Sequence, residues 1–100
     1  MATTTKTLYR GAAATSSATL YTVPSSTTTV ITNIAITNTA SAAATYTISI
    51  DGVTFAAASS IAANDTIIID LKQVLATTKI IAGLASATTV NFHICGVEIA

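Results

Sequence analysis

The dipeptide Asp51-Gly52 constrains this chain more than any other feature, because it accepts the positive φ angles of a type I′ turn and alternating residues flank it on both sides. With these two as the loop, Ile50 faces Val53, Ile48 faces Phe55 and Tyr46 faces Ala57, which predicts that side of the ribbon as core. The opposite side sets Ser49 against Thr54 and Thr47 against Ala56, a small polar face suited to water or to a neighbouring subunit.

The same period of two recurs along the chain. Residues 29–38 place Val30, Ile34 and Ile36 on one face and Asn33 and Thr37 on the other, with Thr32 as a polar intruder. Residues 19–23 form a short strand that Pro24 ends, starting a turn at Ser25-Ser26. Residues 6–10 suit an edge strand, and Asn64-Asp65 is a turn signal before the β-branched residues 66–71. Leu71, Val74 and Leu75 then switch to helical spacing, which predicts one short helical turn capped by Asp70. Residues 79–82 resume as strand. In the last strand Val90, Phe92 and Ile94 share one parity and Val97 and Ile99 the other, so a bulge at Gly96 is expected to restore all five to one face.

About eight short strands at intervals of about ten residues predict an all-β antiparallel sandwich, jelly-roll or immunoglobulin-like, with at most that one helical turn. The expected organisation is a flexible amino-terminal arm over residues 1–5 and a single β-sandwich domain over residues 6–100. Thr and Ala each supply about a fifth of the residues, an excess over ordinary usage, and Thr with Ile favours strand.

Only 8 % of the residues are charged, and three Lys and one Arg balance three Asp and one Glu. No basic stripe exists to neutralise phosphates or dock on anionic lipid, so neither nucleic acid nor a membrane surface is an expected partner. The first residues lack the charged-then-apolar signature of a secretory signal, and no stretch approaches the roughly 18 apolar residues of a spanning helix. Cys95 is the only cysteine, which rules out an internal disulfide and suits synthesis in a reducing host cytoplasm.

Chemistry has few places to reside. His93 is the sole histidine and belongs to no serine-bearing, phosphate-binding or zinc-binding motif. Asn91, His93 and Cys95 share a strand face, but two good ligands do not make a metal site, and the trio reads as a partly covered outer face. Asp51 and Asp65 read as turn residues, Asp70 as a cap and Glu98 as an outward strand residue. Lys6 and Arg10 can pair with exposed carboxylates or touch a partner. Thr-x-Thr spacings lack the fixed period of an ice-matching face. With Tyr46, Phe55 and Phe92 assigned to the core, only Tyr9 and Tyr21 remain as stacking platforms for a carbohydrate. The expectation is a structural or interaction protein, not an enzyme, with no catalytic, cofactor-binding or metal site and no cofactor.

Leu20-Tyr21-Thr22-Val23-Pro24, the strand from Val30 that closes on Asn38-Thr39, Tyr46-Thr-Ile-Ser-Ile-Asp-Gly52, Gly83-Leu-Ala-Ser-Ala and Ile94-Cys-Gly-Val-Glu-Ile99 together resemble small β-sandwich virion proteins of tailed bacteriophages. The resemblance spans most of the chain from Leu20 onward. It implies assembly into a virion without choosing between head and tail; the leading expectation is a head decoration or cement protein that binds the major capsid protein, and the sparsely charged surface adds the expectation of a homo-oligomer. A phage tail or fibre module is the alternative, and a carbohydrate-binding or adhesive β-sandwich domain the second. The family motif carries no catalytic residues. A near-neutral surface coated in Thr and Ala agrees with this, since many copies pack without like-charge repulsion.

Overall fold

The computed structural model describes residues 2–100, and all of its regular elements are strands. They are β1 (Thr3–Ala12), β2 (Ala18–Thr22), β3 (Thr28–Asn38), β4 (Ala44–Ile50), β5 (Val53–Ile61), β6 (Thr66–Leu75), β7 (Ile80–Ala85) and β8 (Val90–Ile99). Two four-stranded antiparallel sheets face each other, one ordered β1-β8-β3-β6 (sheet A) and the other β2-β7-β4-β5 (sheet B). The pairs β1/β8, β2/β7, β3/β6 and β4/β5 are nested like one long hairpin rolled on itself, so the connectivity is that of a jelly roll and not of an immunoglobulin domain. Every connection crosses between sheets except the turn at its tip, Asp51-Gly52.

That turn has the predicted conformation, with φ of 54° at Asp51 and 74° at Gly52. Ile50 pairs with Val53 and Ser49 with Thr54, as expected. The register then slips: Ile48 meets Ala56 instead of Phe55, and Tyr46 meets Ser59 instead of Ala57. Two extra residues in β5 cause this, helped by a positive φ of 43° at Ala58, whose N–H donates to Thr47 Oγ1 at 3.0 Å. Tyr46, Ile48 and Ile50 lie in the core as predicted, whereas Val53 and Phe55 are exposed, since β5 is the outermost strand of its sheet and Phe55 is one of its two extra residues.

The expected bulge at Gly96 is found in its neighbours instead. β8 alternates without interruption through Gly96, while Leu8 is the extra residue in β1 and Thr32 the extra residue in β3. The polar intruder in the β3 pattern is therefore the bulge itself. It reverses the parity of that strand, burying Ile31 with Ile34 and Ile36 and turning Val30 outward. Gly96 is needed where these bulges converge on β8: a Cβ there would overlap the Val30 carbonyl oxygen and lie 2.9 Å from Leu8 Cδ1. Glu98 consequently has inner parity and Val97 and Ile99 face outward, the reverse of the expectation.

No helical turn follows Asp70. β6 runs on to Leu75 because Leu71 and Leu75, four apart, satisfy a period of two as well as a helical one, and β3 offers partners down to Thr29. At the amino terminus Met1 lies outside the described residues. The remainder of the expected arm is strand, with Thr3, Thr4 and Thr5 opposite Ile99, Glu98 and Val97, and Ala2 and Ala100 exchange two backbone hydrogen bonds of 2.8 Å. The full-length β8 supplies that ladder.

The core between the sheets centres on Phe92, Ile94, Ile31, Ile34, Ile36, Ile48, Ile61 and Ile81, all fully buried. Asn38 shares their parity on β3 and is also fully buried. Its Nδ2 donates to the Ala42 and Ala62 carbonyls at 2.8 and 3.3 Å, and its Oδ1 accepts from Ala40 N–H and the Thr89 hydroxyl at 3.1 and 3.2 Å. One side chain thus uses its full hydrogen-bonding capacity to tie three crossing loops together at one end of the sandwich.

Candidate interaction surface

The two flanks of a sandwich are where its inner faces meet solvent, and here they are built differently. On the flank formed by β1 and β2, the Tyr21 hydroxyl donates to Glu98 Oε2 and lies 2.8 Å from Thr29 Oγ1, while Lys6 Nζ stands 3.3 Å from Glu98 Oε2. Tyr21 belongs to sheet B and the other three to sheet A, so the cluster bolts the sheets together. Burial, then the hydrogen bond to Glu98, pushes the Tyr21 phenol up from 10.0 to about 12. The Tyr21 hydrogen bond holds the Glu98 carboxyl below its ordinary value against an opposing desolvation, with Lys6 assisting.

Among the described residues the flank formed by β5 and β6 has no such closure. Val53 is 70 % exposed, Val74 68 %, Ile68 66 % and Phe55 40 %. Ile67, Ile69 and Leu71 of β6 point inward yet remain only half-buried. Ile50, Val53, Thr54 and Phe55 of the hairpin and Gln73 and Val74 of β6 line an open cleft, and the Asp51 carboxylate beside it pairs with Lys79 at 3.8 Å. Such a gathering of exposed large aliphatics on one edge is a feature of interaction sites.

Charge is segregated between the sheets. None of β2, β4, β5 and β7 contains a charged residue, so sheet B presents an outer face of Thr45, Thr47, Ser49, Thr54 and Ser60 beside Ile80, Ala82 and Leu84. All charged strand residues lie in sheet A: Lys6, Arg10, Asp70, Lys72 and Glu98.

Asn91, His93 and Cys95 are brought together on the outer face of sheet A, half-buried as read from the sequence. His93 stands between Arg10 and Ala35, and Cys95 between Thr7 and Asn33. Among the described residues no three of His, Cys, Asp and Glu gather as a metal site would require. Of the two tyrosines left as sugar platforms, Tyr21 is buried and Tyr9 bonds the Ala12 carbonyl at 3.0 Å, leaving Phe55 as the exposed aromatic. The reading from sequence missed Tyr21 and Asn38 as buried polar anchors, and Glu98 as the half-buried, inward partner of Tyr21. Parity was the available signal, since Asn38 follows Ile34 and Ile36, and Glu98 follows Phe92 and Ile94, in steps of two.

No family model matches this chain, and no curated protein sequence matches it. Among solved structures it is similar to a chain in the crystal structure of the T13 viral particle of IBDV, with a TM-score of 0.56 and 14 % identity over 97 % of this chain. It spans 30 % of the length of that chain, and the likeness is one of fold.

Proposed function

We propose that this chain is a viral structural protein, a decoration or cement protein that binds the assembled head lattice and acts by binding alone, without catalysis. The observation that carries the reading is a jelly roll, the fold type it shares with a chain of the IBDV particle, whose sheet B is free of charge while its β5/β6 flank is open and apolar. Close-packed lattices demand such surfaces, because each copy meets neighbours on several sides and an unpaired charge buried at any of them is costly. A ligand that binds the assembled shell and not its free subunits stabilises the shell by mass action, and attachment at several points adds avidity. The resemblance of the Leu20–Pro24 and Tyr46–Gly52 segments to phage virion proteins points the same way.

The test is the copy number of this chain in purified particles, measured by quantitative mass spectrometry. Head decoration requires hundreds of copies. A handful would assign the chain to a tail or fibre, and its absence from particles would overturn the virion reading. Binding of the isolated protein to a glycan array would favour the adhesive alternative.

A further inference from the structure

Four strands lie at sheet edges, and three of them are defended against pairing with another chain. β1 is interrupted by the Leu8 bulge and carries Lys6 and Arg10, and β2 has five residues, a register shift and Pro24 just beyond its end. β5 shifts register twice and bends at Ala58. β6 differs. Its side chains keep one alternation over Thr66–Leu75 through a single register shift against β3 beside Leu71 and Lys72, with Ile67, Ile69 and Leu71 half-buried, Leu75 buried, Gln73 exposed at the open flank, and Thr66, Ile68, Asp70, Lys72 and Val74 exposed on the outer face.

We propose that β6 is a self-association edge, pairing antiparallel with β6 of a second copy about a two-fold axis through Leu71 to join two A sheets into one of eight strands. The sequence of the strand is self-complementary about that residue. Leu71 faces its own copy, Asp70 faces Lys72, Ile68 faces Val74, Ile69 faces Gln73 and Ile67 faces Leu75. An axis normal to the sheet keeps outer faces outer, so each exposed aliphatic of β6 covers the other and the strand's two charges form two pairs. Moving the axis by one residue sets Asp70 against Asp70 or Lys72 against Lys72, which like-charge repulsion disfavours. The same two charges that would repel a shifted partner therefore select one register. The inference stands on the edge strand and does not depend on a virion location.

Sedimentation equilibrium from low to high micromolar concentration, with light scattering, reads the association directly. The expected mass rises toward twice the 10.1 kDa of the chain, with a dissociation constant on the order of 1–100 μM for an interface of this small size. Asp70→Lys should weaken it at least tenfold, and Asp70→Lys combined with Lys72→Asp should restore it, with circular dichroism confirming that each variant folds. In a Cys95→Ser background, Leu71→Cys should cross-link to itself under mild oxidation, because paired residues across a two-fold lie within disulfide reach, whereas Ile68→Cys should not. A chain that stays monomeric throughout, a dimer indifferent to Asp70→Lys, or equal cross-linking at both positions would overturn the proposal.

Discussion

The β1/β2 flank and the β5/β6 flank close the same sandwich by opposite means. At the first, Tyr21, Glu98, Thr29 and Lys6 use side-chain hydrogen bonds to join the sheets, and Leu8 and Val23 are buried beside them. At the second, aliphatic side chains reach solvent and no polar tie spans the cleft among the described residues. The difference separates two tasks that a small domain otherwise has to perform with the same residues. One flank contributes to the stability of the monomer, while the other leaves apolar surface whose burial is available to association.

Substitution by aspartate is the strongest way to break that comparison. Ile48, fully buried in sheet B, has no room or partner for a carboxylate, so Ile48→Asp should cost about 4 kcal/mol or more and unfold much of the protein. Val53, five residues on and largely exposed, should tolerate the same change at under about 1 kcal/mol. Urea unfolding followed by circular dichroism reads both. Equal losses would mean that the open flank is as much core as the centre.

Gly96→Ala comes next. The added methyl meets the Val30 backbone and the Leu8 side chain, and the bulges on either side leave β8 nowhere to retreat. An expected loss of about 2–3 kcal/mol, read from the urea midpoint, follows from overpacking in a fixed backbone. Gly52→Ala should cost about 1 kcal/mol, since the Cβ there meets open space and the strain comes from the positive φ alone.

These two glycines show which parts of the fold were legible. Asp51-Gly52 announces its turn locally, because the φ requirement belongs to the two residues themselves, and the adjoining pairs Ile50/Val53 and Ser49/Thr54 follow from it. Beyond Thr54 the register depends on residues inserted opposite β4, one at Phe55 and one at Ala57-Ala58, which neither the alternation nor the run of Ala and Ser marks. Gly96 marks a crowded place without saying which strand is irregular, since its role depends on Leu8 and Thr32 in strands distant in sequence. The open flank was equally hidden. Phe55 and Val53 have the sequence parity of core residues, but β5 lies at the rim of sheet B and Phe55 is itself an extra residue opposite β4.

The smaller effects sharpen the comparison through pH. Folding holds the Tyr21 proton to about pH 12 whereas the unfolded chain releases it near 10.0, so the folded state binds more protons between those values. Its stabilising contribution is complete below pH 10.0 and is lost as the pH rises through about 12. For Glu98, held below 4.5 by the Tyr21 hydrogen bond, the sign reverses: its contribution is complete above 4.5 and is lost as the pH falls through the depressed value. Tyr21→Phe should cost about 1–2 kcal/mol at neutral pH and flatten both limbs of the stability profile. Phe55→Ser, on the other flank, should cost under about 1 kcal/mol and leave both limbs unchanged, because no titrating group of the Tyr21 cluster touches it. If Phe55→Ser altered the alkaline limb, the two flanks would be coupled through the core, and the division of labour between them would fail.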